Sequence, residues 1–200
     1  MLTFDEAAHR YFWNGQPVPN VTTILKPLTD FSMIQPDVLE RARQEGVAVH
    51  KMVELEVKGE LTDLPEWLNP YYDAWMAFQV QTGFEPIATE HQMYHAGLGY
   101  AGTTDLIGRF KKFRKPGEIA IVDIKRSLYG GPVIGLQLEA YRQSYNSTQT
   151  KDQRAISRFA LQLKKDGKYR LPEFTDPNDN SAFVACLAMQ RWKIKHNINL

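Results

Sequence analysis

The sequence predicts an α/β protein whose mixed central β-sheet is flanked by helices. Three observations carry this expectation. Apolar residues recur at helical steps over residues 36–81, and from residue 84 the period shortens to that of strands. Ile119-Ala120-Ile121-Val122 is a continuous apolar run, as a central strand covered on both faces requires. Helices, a strand meander, a further helix and more strands then follow without a repeat, low-complexity tract or linker. The 200 residues, 43% of them hydrophobic, can bury one sizeable core. A single domain over residues 1–200 is therefore expected, with an N-terminal hairpin and helical additions (about 1–82) ahead of the sheet.

Residues 3–19 read as short strands around turns, with Tyr11, Phe12 and Trp13 as β-favouring aromatics and Asn14-Gly15 as a hairpin signal. Asn20 is placed to cap a short helix over 21–26 that Pro27 ends. A long helix is predicted from Pro36, a good first-turn residue, to Lys58, where Gly59 can stop it. Its apolar side would be Leu39, Ala42, Gly46, Val49, Val53 and Val57, with Gly46, His50 and Glu54 as a second line beside it. A third helix over 66–81 carries Trp67, Leu68, Tyr71, Trp75 and Phe78. Strands are predicted over 84–95, 100–110 and 118–124, separated by Gly97 and Gly99 and by Lys115-Pro116-Gly117. Gly130-Gly131-Pro132 leads into a helix over 133–147, then strands over 156–163 and 169–171 around Asp166-Gly167. A last helix after Asp176-Pro177 is expected to bury Phe183, Cys186, Leu187 and Ile194. The four tryptophans, Trp13, Trp67, Trp75 and Trp192, are expected in the core.

Composition excludes some chemistries. Cys186 is alone, so one chain can form neither a disulfide framework nor a cysteine-based zinc site. The opening MLTFDEAAHRYFW is acidic and aromatic rather than basic and then apolar, and no apolar run could span a bilayer. A cytoplasmic location without membrane association is the expectation. Residues 1–100 hold six Lys/Arg against fourteen Asp/Glu, whereas 101–200 hold eighteen against nine. Polyanion binding is accordingly expected mainly on groups of the second half.

The chemistry centres on Asp105, Asp123 and Lys125. Asp123 and Lys125 end the apolar strand as Asp-x-Lys, and residues two apart on a strand point to the same face. If the strands around Pro116 pair, Asp105 and Asp123 come to neighbouring positions. Two converging carboxylates repel, and a divalent cation relieves that repulsion. Oxygen ligands favour Mg²⁺ or Mn²⁺ over zinc. Taken alone, Asp-x-Lys also reads as a surface ion pair, and Asp105 as a turn-capping aspartate. Arg109, Lys111, Lys112, Arg114 and Lys115, with Phe110 and Phe113 among them, crowd one hairpin tip. Such a tip suits either a nucleic-acid backbone or plain solvent.

The set Gly102…Asp105, Asp123-x-Lys125 and Gln137-x-x-x-Tyr141 resembles the PD-(D/E)xK nuclease superfamily. Gly46-Val-Ala-Val-His50 on an upstream helix narrows the resemblance to its RecB-like branch, which includes phage exonucleases. His9-x-Tyr11 with Pro19-Asn-Val-Thr-Thr-Ile-Leu25 is similar to the opening of phage-type members. The resemblance covers residues 9–145 and implies a restriction-endonuclease-like core. It implies Asp105, Asp123 and Lys125 as catalytic residues, and His50, Asp105, Asp123 and the carbonyl of Ile124 as ligands of Mg²⁺ or Mn²⁺. Gln137 and Tyr141 would border the site, Gln137 contacting Lys125 or substrate and Tyr141 donating to a phosphate; Arg126, directly after the lysine, reads either as a phosphate contact or as a solvated residue. Glu54, which could orient His50, reads equally as a solvated helix-face residue, and Glu90 reads as structural.

The implied activity is divalent-metal-dependent hydrolysis of DNA phosphodiester bonds. An exonuclease of phage or prophage recombination, replication or repair is the expectation, with DNA and a single-strand annealing or other recombination protein as partners and an oligomer allowed. The alternatives are a structure-selective endonuclease with the same centre and a non-catalytic nucleic-acid-binding module on the same fold.

Overall fold

A computed structural model describes residues 1–29, 32–113 and 115–198. The chain opens with a small antiparallel sheet of β1 (Leu2–Asp5), β2 (Arg10–Trp13) and β3 (Gln16–Val18). Asn14 and Gly15, both at positive φ, form the two-residue turn between β2 and β3. Asn20 then caps α1 (Val21–Leu25), its side-chain oxygen accepting from the Thr23 N–H at 2.8 Å, and Pro27 lies in a following 3-10 turn. The long helix α2 (Pro36–Lys58) ends at Gly59, whose left-handed φ of 70° lets its N–H turn back to the Glu56 carbonyl. After α3 (Asn69–Thr82) come β4 (Phe84–His95), β5 (Tyr100–Phe110) and β6 (Ile119–Lys125). The chain continues through α4 (Val133–Asn146), β7 (Ala155–Leu163), β8 (Tyr169–Arg170) and α5 (Asp179–Lys195).

The five later strands form one sheet in the order β4-β5-β6-β7-β8. All neighbours are antiparallel except β6 and β7, which run parallel because α4 carries the chain back across the sheet. The result is the mixed α/β architecture expected, with helices on both sheet faces. Alternation along β6 divides the core. Ile119 and Ile121 join α1, α4 and α5 residues in one cluster, whereas Ala120, Val122 and Ile124 join α2 and α3 residues in the other. Among the described residues, no helix is long and apolar enough to cross a membrane.

Packing departs from the periodic reading in several places. Only the second half of α2 is buried, through Val49, Met52 and Val53, while Leu39 is exposed. On α5 the buried stripe is Asp179, Phe183, Leu187 and Gln190; Cys186 is half-buried, and Ile194 in the last turn is exposed. Trp75 is fully buried and Trp13 stacks on Tyr94 at 4.3 Å, but Trp67 and Trp192 are about half exposed. At the β5–β6 tip, Phe110 is buried and Phe113 packs on the α2/α3 cluster, so both rings serve the core. Arg109, Lys111, Lys112 and Lys115 are exposed there, and Arg114 lies outside the described residues.

Candidate metal centre

The β5–β6 ladder runs from Arg109↔Ile119 to Leu106↔Val122. The next two residues in register are Asp105 and Asp123. Where a further ladder bond would fall, Asp105 Oδ2 accepts from the Ile124 N–H at 2.5 Å. The N–H and C=O of one strand residue leave by the same edge, so the Ile124 carbonyl turns to that side as well. On its other edge β6 remains paired to β7 as far as Lys125↔Gln162, which holds the strand end in place. Asp123 and Lys125 share the face of Ile119 and Ile121, the one covered by α4.

Four elements close on this gap. His50 of α2 places Nδ1 3.2 Å from Asp105 Oδ1. Lys125 Nζ lies 2.5 Å from Asp123 Oδ2 and donates to Gln137 Oε1 at 3.0 Å. Gln137 Nε2 in turn donates to the Tyr141 hydroxyl at 3.0 Å, so one face of α4 extends the lysine's bonding by two residues. Asp105 and Asp123 are 8% and 3% exposed. Asp123 Oδ2 is buried and answered by the Lys125 ammonium.

The electrostatics follow from this crowding. Burial alone would lower the His50 pKa, but Asp105, helped by Asp123, overrides it and holds the imidazole at about 9. Burial raises Asp123 to about 6, with Asp105 adding to the rise against Lys125. Burial also presses on Asp105, yet His50 and Lys125 keep it below the usual carboxylate range. Lys125 is held above its ordinary value: the two aspartates outweigh its desolvation, so it is a cation here and no depressed-pKa base. Tyr141 is pushed well up by burial and by Asp123, and stays a neutral phenol.

A cleft of about 790 Å³ opens over these groups. His50, Asp105, Asp123, Lys125, Gln137 and Tyr141 all line it. Arg126 does not: it faces away, pairing with Glu45 of α2 at 2.9 Å. Glu54 reaches the lining but is engaged by Lys51 and Lys58. Gly46 lies one turn from His50, and a Cβ there would meet nothing within 4 Å. Lys125 is the only basic residue of the second half among those described that lines the cleft, and Lys51 is its counterpart from the first half.

Of the lining residues not read from the sequence as part of the site, three carry chemistry that bears on it. Tyr11 and His9 reach it from the N-terminal sheet, and Tyr11 shares a 2.6 Å hydroxyl bond with Thr103. Their only signal was their place in the opening motif. Glu90 of β4 is the third: donor atoms of His50, Glu90 and Asp105 all lie within 4.8 Å of one another. Burial, then Asp105, raises the Glu90 carboxyl to about 7. A lone glutamate on a strand carries no sequence signal for such a role.

No family model and no curated protein matches the chain. Among solved structures it is similar to that of SSO0001, with 18% identity, a TM-score of 0.36 and 62% of this chain covered. The chain spans 57% of the length of that protein. It is also similar to an alkaline exonuclease (LHK-Exo) from Laribacter hongkongensis, with 13% identity, a TM-score of 0.35, and coverage of 89% of this chain and 91% of that one.

Proposed function

We propose that this chain is a divalent-metal-dependent DNA nuclease, a single domain over residues 1–200 that hydrolyses phosphodiester bonds. The observation that carries the reading is the convergence of Asp105, Asp123, Lys125 and His50 in one cleft, where two buried carboxylates meet. The donor set fits a hard cation such as Mg²⁺ or Mn²⁺: carboxylate oxygens, a main-chain carbonyl and one imidazole, with no thiolate. Asp105, Asp123, His50 and the Ile124 carbonyl would hold it. A cation there supplies an acidified water and a polarised phosphoryl oxygen.

The remaining work falls to the chain's own groups. Lys125, cationic and steered by Asp123 and Gln137, orients the attacking water and offsets charge growing on the phosphoryl oxygens. Gln137 fixes where the ammonium points. The Tyr141 hydroxyl accepts from Gln137, which leaves its own proton free to donate to a phosphate oxygen. Arg126, bound to Glu45, has no part in this arrangement. The finer reading is an exonuclease serving phage or prophage recombination, replication or repair in the host cytoplasm, beside a single-strand annealing or other recombination protein. It rests on the opening motif and the RecB-like resemblance.

End-labelled single- and double-stranded DNA and a closed circle, each incubated with Mg²⁺, Mn²⁺ or chelator, test both levels. Metal-dependent loss of the end label with intact circles is expected. Cut circles would replace the exonuclease by an endonuclease, and no degradation with any metal would leave a binding module.

A further inference from the structure

The N-terminal sheet supplies a wall of the cleft that the metal centre does not use. Phe4 of β1 and Tyr11 of β2 pair directly across the strands, and their rings lie 4.5 Å apart. His9, in the turn between those strands, has a φ of 49°, and its ring stands edge-on to Phe4 at 5.2 Å. All three rings line the cleft. Among the described residues neither Phe4 nor Tyr11 joins either core cluster, so the rings do not close the interior. Tyr11 is buried as their support, whereas Phe4 is half-buried and His9 exposed.

This wall is fastened to the hairpin that carries Asp105. The Tyr11 hydroxyl shares its 2.6 Å bond with Thr103, and the Ala101 N–H donates to the Pro19 carbonyl at 2.9 Å. Trp13 adds its stack on Tyr94 of β4. Thr103 and Asp105 stand two residues apart on one side of β5, and both line the cleft. That step measures roughly 6.8 Å along the strand. A nucleotide whose phosphate lies at Asp105 can therefore lay its base on the rings.

Charge decides what such a wall can hold. Among the described lining residues are five carboxylates (Glu6, Glu54, Glu90, Asp105 and Asp123) against two lysines. Lys51 is engaged by Glu54 at 2.9 Å and Lys125 by Asp123 at 2.5 Å. Basic contacts to phosphate ordinarily supply much of the affinity for nucleic acid. A strand in this cleft meets no basic track, so its bases must do the holding. Aromatic faces hold bases of any sequence by stacking. Within a duplex a base is paired and stacked on its neighbours, so only an unpaired nucleotide offers a free face.

We propose that Phe4 and His9, backed by Tyr11, form a stacking subsite for an unpaired nucleobase, so that the cleft takes a single-stranded DNA end in preference to duplex. The proposal deepens the nuclease reading and rests on it for the identity of the ligand.

Oligothymidine carrying 2-aminopurine at one or the other end tests it, since the fluorescence of that base falls when it stacks. The full chain is titrated into the probe with Ca²⁺, a hard cation for oxygen ligands, in place of Mg²⁺. A duplex of the same length is the comparison. Quenching at one end is expected, with single strand bound at least about tenfold tighter than duplex. Phe4→Leu keeps the apolar packing on Tyr11 but offers no ring face, and should weaken binding about fivefold or more, whereas Phe4→Trp should retain the quench. His9→Asn, an exposed change that tolerates positive φ, should also weaken binding. Raising salt from about 50 to about 200 mM should cost less than about tenfold in affinity. No quench at either end, equal binding of duplex, or wild-type affinity in Phe4→Leu overturns the proposal. A loss in Phe4→Leu that Phe4→Trp does not recover overturns it too, because packing rather than stacking would then be at work. Quenching with these variant effects in a protein that degrades no DNA with any metal would sink the nuclease reading and leave the subsite. Metal-dependent degradation with none of these effects would do the reverse.

Discussion

Asp123 and Lys125 adjoin on one strand, yet their replacement should give different defects. Asp123→Asn removes a ligand charge and the partner of Lys125, and is expected to reduce cleavage at least about a thousandfold while weakening Mn²⁺ binding. Lys125→Met should lower single-turnover cleavage by roughly 10²- to 10⁴-fold and leave Mn²⁺ affinity within a few-fold of wild type. Equal loss of affinity in both variants would contradict the division of roles. The metal-free protein should also be sensitive to pH. His50, raised from 6.5 to about 9, contributes stability that is complete below pH 6.5 and lost as pH rises through 9. Glu90 and Asp123, raised to about 7 and about 6, are favoured by the fold in their protonated forms, so their contributions also fall as pH rises through those values. Thermal melts in chelator should therefore show a falling Tm from about pH 5 to about pH 9. Mn²⁺ should raise the Tm by an amount that grows with pH, because binding competes with protons at His50 and Asp123. A flat profile in chelator would argue against this charge arrangement.

Among the elements, the hairpin of β4 and β5 sets the site, and its glycines show how closely it is packed. A Cβ on Gly102 would come 2.8 Å from the Tyr141 ring and 3.0 Å from Val21. Gly102→Ala should displace Tyr141, and with it the Gln137–Lys125 link, costing about 1–3 kcal/mol in urea denaturation together with a loss of turnover. Wild-type turnover in that variant would show the link to be dispensable. Much at this scale was legible beforehand. The Asn14-Gly15 turn, the Asn20 cap, the Pro36 start and the Gly59 stop are local devices whose geometry is fixed by backbone sterics and hydrogen bonding. The buried half of α2 was not legible, since periodicity marks a face along its whole length without saying which part another element covers.

For the whole molecule, charges on separate elements are answered across the fold. Arg158 of β7, 6% exposed, pairs with Asp179 of α5 at 2.8 Å and Glu139 of α4 at 3.1 Å. Its removal leaves the buried Asp179 carboxylate unanswered, while Glu139 keeps Arg142 at 2.7 Å, so Arg158→Met is expected to cost about 3–5 kcal/mol by chemical denaturation. A loss under about 1 kcal/mol would show the Asp179 carboxylate to be hydrated instead. Arg126→Ala, by contrast, should leave DNA cleavage near wild type, because its partner is Glu45 outside the cleft.

The pattern of strands and helices, the caps and the Asp-x-Lys at the end of the central strand were determined by the sequence itself, because each depends on residues a few positions apart. The tertiary structure decided what depends on long-range register and docking. The β5–β6 pairing set Asp105 beside Asp123, separated in sequence by a whole hairpin. Helix α2 brought His50 to Asp105, and the left-handed turn at Glu90 delivered a third donor that no spacing rule reaches. The same docking committed Arg126 to Glu45 and the two tip phenylalanines to the core. A motif states which chemistry a chain carries; only the partner surface of each side chain determines whether its charge faces the cleft, another element or water.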